Sequence, residues 1–219
     1  MFCNIFSKLK KSDRLFENIV GYENEKRLFR MALESEHTPS ILLSGPPASA
    51  KTMFLESLMK LPATYFVDGG NSSKAGMLEY LFNHKPRRVL IDELDKLSTK
   101  DQTSLLNLIE TGIISETKYK KTRSMKIKTA VFATSNNLER IIAPLQSRFF
   151  IVKLEPYSYE QFYKITVNLL TRQSSMEIKM AEAIAKTVWS TSKNIRDCVR
   201  IGKMADSFDD VNWIVGTFL

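Results

Sequence analysis

The chain has 219 residues, 43% of them hydrophobic and 26% charged, and carries a formal charge of +8 from 32 Lys and Arg against 24 Asp and Glu. That is enough for one large domain or a core with a small companion, and it is the composition of a folded chain with a basic surface suited to a polyanionic partner. No apolar run approaches the roughly 20 residues of a membrane span, Met1 to Lys11 lacks the apolar core of a secretory signal, and the cysteines Cys3 and Cys198 and histidines His37 and His84 have no metal-ligand spacing, as expected for a cytoplasmic protein with reduced thiols.

Residues 1–15 read as a tail. From Phe16 to Glu23 the chain enters a helical pattern through Leu28, Phe29 and Met31, which His37 to Ser40 interrupts. Ile41, Leu42 and Leu43 read as a buried strand. Next come Gly45, Pro46, Pro47, Ala48, Ser49, Ala50, Lys51 and Thr52, and then a helical run from Met53 to Lys60. A strand, a tight loop and a helix opening at Lys-Thr are the setting of a phosphate-binding loop. Backbone N–H groups and the positive end of the helix face the phosphates. Lys51 is expected at the β/γ-phosphates of ATP and the Thr52 hydroxyl on Mg²⁺. The usual pattern has Gly where this chain has Ala50.

A short strand from Thr64, a turn at Asp68 to Asn71 and a helix from Ala75 to Phe82 follow. Then Val89, Leu90 and Ile91 form an apolar strand that ends in Asp92 and Glu93. Carboxylates at the C-terminal end of a buried strand sit where α/β sheets bind ligands. Asp92 is expected to hold the Mg²⁺ shell and Glu93 to orient and deprotonate a water; the alternative is a strand followed by an acidic helix cap.

A helix over Thr99 to Glu110 leads to a basic stretch, with Lys118, Lys120, Lys121, Arg123, Lys126 and Lys128 falling within eleven residues around Tyr119. Partial alternation predicts a hairpin turning near Thr122 to Ser124. Such a hairpin would offer phosphate contacts and stacking to a nucleic acid, or would be a solvated hairpin with no partner. Thr129 to Thr134 reads as a strand running into Asn136, which would hold the attacking water or γ-phosphate or serve as a turn residue. Arg148 precedes the strand Phe150 to Leu154 and is a charge that could act on a phosphate. Beyond Pro156 the pattern is helical over Tyr159 to Arg172, Met176 to Trp189, Asn194 to Asp206 and Asp209 to Phe218.

The order of these motifs resembles an AAA+ ATPase from about Phe16 onward. Phe16 to Glu23, with Val20 and Gly21, resembles the segment beside the adenine pocket. Gly45 to Thr52 resembles Walker A, Leu90 to Glu93 Walker B, and Val131 to Asn136 the strand ending in sensor 1. Ser147-Arg148-Phe149 resembles the arginine-finger segment, and Asn194-Ile195-Arg196 resembles sensor 2. The resemblance implies an α/β P-loop NTPase core over 16–156, a five-stranded parallel sheet between helices, followed by a small all-helical lid over 157–219. It implies that ATP and Mg²⁺ bind between core and lid, that Arg196 reaches the γ-phosphate, and that Arg148 acts in trans within a ring, expected to be a hexamer.

Ala143-Pro144-Leu145, Ser147-Arg148-Phe149 and Leu154-Glu155-Pro156-Tyr157 are similar to RuvB branch-migration motors. Those motors carry a C-terminal winged helix, and the sequence to Leu219 is expected to lack one. Ala before the Walker A Lys resembles MCM-type replicative helicases. Two functions follow: an ATP-hydrolysing motor on DNA, or an ATP-gated switch or scaffold for a protein partner.

Overall fold

The computed structural model describes residues 15–71, 74–118, 121–173 and 176–219. Five strands form one parallel sheet: β1 (Ile41–Ser44), β2 (Thr64–Asp68), β3 (Arg88–Asp92), β6 (Ala130–Ser135) and β7 (Phe150–Lys153), in the spatial order β2-β3-β6-β1-β7. Helices α1 (Glu23–Glu34), α2 (Lys51–Met59), α3 (Lys74–His84), α4 (Thr99–Thr111) and the short α5 (Ala143–Gln146) surround it.

A parallel sheet covered on both faces needs strands that are apolar throughout rather than alternating. β1 and β6 are buried at every position. Leu42, Val67, Val89, Ile91, Val131 and Ala133 pack on one face with Leu78 and Leu81 of α3 and Leu105 and Leu108 of α4. On the other, Phe132 stacks on Phe29 of α1, and Phe16, Phe29 and Phe54 pack ring against ring at centroid distances of 5.1–5.8 Å.

Local signals set the element ends. Ser98 caps α4, its Oγ accepting from Asp101 N at 3.2 Å, and Gly112 closes that helix at φ 70°. β4 (Ile113–Lys118) and β5 (Lys121–Lys126) then pair antiparallel, with Lys118 opposite Lys121. The predicted hairpin is therefore present, but its turn does not fall near Thr122 to Ser124; Tyr119 and Lys120 lie outside the described residues. Thr122 to Ser124 are strand, paired with Thr117, Glu116 and Ser115. Cross-strand partners on the inward face set that register: Ile114 is buried opposite Met125, and Glu116 bonds Arg123.

The chain divides into two compact units between Leu154 and Glu155. The second is helical: α6 (Tyr159–Gln173), α7 (Ile178–Trp189), α8 (Ile195–Gly202) and α9 (Phe208–Phe218), around Phe162, Leu170, Ile184, Val188 and Ile201. α8 ends four residues before the predicted Asp206. Asp206 instead belongs to the cap of α9: its N–H and that of Ser207 both donate to Asp210 Oδ2, in a reciprocal capping box.

Candidate nucleotide site

Because the strands are parallel, their C-terminal ends meet at one edge, and the loop after β1, the carboxylates after β3 and the residues after β6 converge there. The loop from Gly45 to Ala50 wraps the side chain of Lys51. Lys51 is 7% exposed, and its Nζ donates to Gly45 O at 2.8 Å, Pro46 O at 2.6 Å and Ser49 Oγ at 3.2 Å. A buried ammonium is stable only with such oxygens around it. Ser49 Oγ donates in turn to Pro46 O at 2.7 Å, tightening the loop.

Ala48 and Ala50 stand at φ 63° and 57°, both in the left-handed region. The loop thus keeps a glycine-type backbone with alanines in it. Left-handed residues inside such a loop turn successive N–H groups to one side, the concavity that binds anions. Gly45 has no such freedom to give up: a Cβ there would lie 2.5 Å from Leu154 O.

Thr52, in the first turn of α2, donates its Oγ1 proton to Asp92 Oδ2 at 3.1 Å. Asp92 also accepts from Thr134 Oγ1, and the same Thr134 hydroxyl accepts from Glu93 N at 2.9 Å. Thr134 therefore fixes both acidic residues through one oxygen. Glu93 takes φ 55° and opens a 3-10 turn over Leu94–Lys96. Its carboxylate meets Lys96 Nζ at 2.5 Å, and Asn136 Nδ2 donates to its Oε1 at 3.4 Å. The pairing with Glu93 raises the Lys96 ammonium. Asn136 is itself held by a bond from its N–H to Asp95 Oδ1 at 3.1 Å. The turn after β2 closes over the same acidic corner: Gly69 N donates to Asp92 O at 2.8 Å, and a Cβ on Gly69 would collide with the Glu93 carbonyl.

So Lys51, Thr52, Asp92, Glu93 and Asn136 are drawn into one neighbourhood. The other residues singled out from the sequence are described by their own surroundings. Arg148 is exposed, donating from Nη2 to Glu110 Oε1 at 2.6 Å and from Nη1 to Ser147 Oγ at 3.2 Å. Arg196 is exposed in the first turn of α8, where its backbone N–H donates to Asn194 Oδ1 at 3.0 Å. Val20 is half-buried before Gly21 and Tyr22, which turn the chain at φ 72° and 57°.

In the hairpin, Arg123 is committed internally: it donates to Glu116 Oε2 at 2.6 and 2.9 Å, pairs with Glu79, and lies 4.1 Å over the Phe82 ring. Lys126 is exposed; Tyr119 and Lys120 lie outside the described residues.

Sequence reading passed over Thr134, Lys96 and Asp95 as site residues. Thr134 was detectable as a hydroxyl near the end of an otherwise apolar strand, two residues before Asn136.

Among the described residues, no cluster of three His, Cys, Asp or Glu side chains is built to hold a metal ion unaided. The hydroxyl–carboxylate pair of Thr52 and Asp92 beside a buried ammonium instead suits a divalent ion that takes its remaining ligands from phosphate and water, as Mg²⁺ does. The residues fit the group that the fold implies, a nucleotide with a divalent metal.

The family model "ATPase family associated with various cellular activities (AAA)" matches residues 41–157, more than half of the chain. The chain belongs to the AAA family. Its curated relatives include the DNA replication licensing factor Mcm2 of Drosophila melanogaster, 24% identical over 216 residues, covering 74% of this chain and 24% of that protein. The DNA replication licensing factor mcm6 of Dictyostelium discoideum is 25% identical over 222 residues, covering 78% and 26%. This AAA chain thus spans about a quarter of the length of these relatives. Among solved structures, a point mutant of Thermotoga maritima RuvB superposes with a TM-score of 0.70 at 22% identity, covering 92% of this chain and 71% of that one. The Thermotoga maritima RuvB Holliday junction branch migration motor gives 0.64 at 24%, covering 90% and 69%. At these identities the likeness establishes the fold: an AAA P-loop core followed by helices.

Proposed function

We propose that this AAA protein binds ATP with Mg²⁺, hydrolyses it, and works as an oligomeric motor on DNA. The observation that carries the ATPase reading is the convergence of Lys51, Thr52, Asp92, Glu93 and Asn136 at one edge of the sheet. Lys51 and the loop N–H groups bind the phosphates. Thr52 and Asp92 would hold Mg²⁺, which neutralises charge on the phosphates when bound. Glu93 accepts the proton of the attacking water, and Asn136 positions that water. Arg148 supplies transition-state charge to a neighbouring subunit's nucleotide in a ring, and Arg196 is the lid's contribution.

The deciding substitution is Glu93→Gln. Turnover should fall by at least ~10²-fold while labelled ATP still binds; unaltered turnover would sink the assignment of Glu93. The DNA reading draws on the relatives, whose names tie them to DNA replication and branch migration. It is tested by ATPase rates with no DNA and with single-stranded, duplex and forked DNA. Neutralising Lys118, Lys120, Lys121 and Lys126 should weaken DNA binding and flatten its salt dependence by ~0.7–0.9 for each phosphate that is no longer neutralised.

One observation favours the second reading, an ATP-gated switch or scaffold for a protein partner. Arg123, at the centre of the basic stretch, is neutralised by Glu116 and Glu79. ATP-dependent assembly with no effect of any DNA on turnover would select that reading.

A further inference from the structure

The end of the sheet opposite the phosphate loop, where the strands begin, carries a second cluster of unusual character. Tyr65 of β2 and Tyr80 and His84 of α3 form a column of rings. Tyr65 and Tyr80 stack at 3.8 Å and 9°, and Tyr80 and His84 at 4.1 Å and 21°. Aromatic pairs take offset-stacked or edge-on arrangements; Phe16 and Phe29 are edge-on at 72°. The column instead presents parallel faces. Its exposure is graded: Tyr65 and Tyr80 are half-buried and His84 is exposed. His84 Nδ1 lies 3.2 Å from Tyr80 O, which fixes the plane of the terminal ring.

Three cations follow in the chain. Lys85 and Arg87 are exposed and Arg88 is half-buried. Their backbone is pinned: Lys85 N donates to Leu81 O at 3.1 Å, and Arg87 N and Arg88 N both donate to Ala63 O, at 2.8 and 3.2 Å. Arg88 Nη1 donates to Pro62 O at 3.1 Å. Like many surface cations of this chain, Lys85, Arg87 and Arg88 pair with no carboxylate among the described residues. Burial, and then the neighbouring Arg87 charge, lower the Arg88 guanidinium. Cations at the end of α3 complement its dipole, which accounts for His84 and Lys85. It does not account for two adjacent arginines at the start of a strand.

We infer that this cluster is a contact for a single nucleic-acid strand, with a base stacked on His84 at the open end of the Tyr65–Tyr80 column and phosphates on Lys85 and Arg87. An aromatic face of fixed plane beside uncompensated cations is the combination that binds single strands without reading sequence. The contact is separate from the hairpin and from the nucleotide edge. Arg88 and Asp92 occupy the two ends of β3, so one strand joins the two sites.

The test is fluorescence anisotropy of labelled oligo-dT and oligo-U against a salt series, using the full chain and the variants His84→Ala, His84→Phe and the double variant Lys85→Ala with Arg87→Ala. Melting temperature and ATP binding serve as folding controls. His84→Ala should weaken binding of at least one probe about tenfold with the salt slope unchanged, and His84→Phe should restore it. The double variant should flatten the slope by about 1.4, two single-strand phosphate contacts. The same differences should persist when Lys118, Lys121 and Lys126 are also neutralised. Parental affinity and slope in the His84 and double variants, or failure of His84→Phe to restore binding, overturns the proposal. Because no step requires hydrolysis, loss of the ATPase reading through Glu93→Gln leaves this result standing, and the reverse holds.

Discussion

Ala48 and Ala50 show how a residue-scale departure from a motif is absorbed. Both hold the left-handed conformation at φ 63° and 57°. An L-residue there costs roughly 1–2 kcal/mol relative to glycine, and glycine returns part of that through the greater entropy of the unfolded chain. Ala48→Gly and Ala50→Gly should therefore each stabilise the protein by about 0.5 kcal/mol, a rise in Tm on the order of 1–2 °C for a chain of this size. Scanning calorimetry of the two variants checks the sign; a fall would show that the methyls pack productively. Cys198 is a second case. It is 0% exposed, and burial pushes its thiol up to about 12. A thiol held protonated by the fold contributes stability that is intact below its unfolded value of about 8.5 and is lost as pH rises toward the folded value. Native protein should thus leave Cys198 unmodified by a thiol-specific reagent at pH 8, with reaction appearing on unfolding. Rapid labelling of Cys198 in the native state, read by peptide mass, would contradict the burial.

At the scale of elements, the strands and helices of the core were legible because a doubly covered parallel sheet writes itself as continuous apolar runs, such as Val89 to Ile91 and Val131 to Ala133. The loop Gly45 to Thr52 and the pair Asp92 and Glu93 were legible because each ends such a run. The hairpin turn was not. Thr122 to Ser124 carry turn-compatible residue types, yet they lie within a strand. The register depends instead on Glu116 meeting Arg123 and Ile114 meeting Met125, pairings visible only once the strands are side by side. Thr134 was passed over for a related reason: its role depends on β6 lying next to β3. The clasp around Arg123 makes a prediction at this scale. Arg123→Ala removes one partner of Glu116, whose side chain is 9% exposed, together with the stacking on Phe82. The hairpin should loosen, with faster amide exchange across Ile113–Lys118. If exchange there is unchanged, the clasp is not what holds the hairpin to α3.

For the whole molecule, the 32 Lys and Arg overstate the cations that a polyanion meets unpaired, since arginines such as Arg123 and Arg148 are already paired with carboxylates. In the proposed ring, Arg148 must leave Glu110 to reach a neighbour's nucleotide. Mixing Arg148→Ala subunits with Glu93→Gln subunits should then regain part of the turnover that each loses alone, because some interfaces recover both groups; no regain at any ratio would place Arg148 outside the site.

β3 has a consequence for folding as well. It carries Arg88 at one end and Asp92 at the other, with Val89, Leu90 and Ile91 fully buried between them. Sliding the strand by one residue in either direction would pull a guanidinium or a carboxylate into the apolar interior beside Phe132, a penalty of several kcal/mol, and would reverse the face of every side chain on it. The strand is in effect proofread by its own termini. Arg88, beside the proposed nucleic-acid contact, and Asp92, at the proposed metal site, thus also reject misaligned pairings while the sheet assembles.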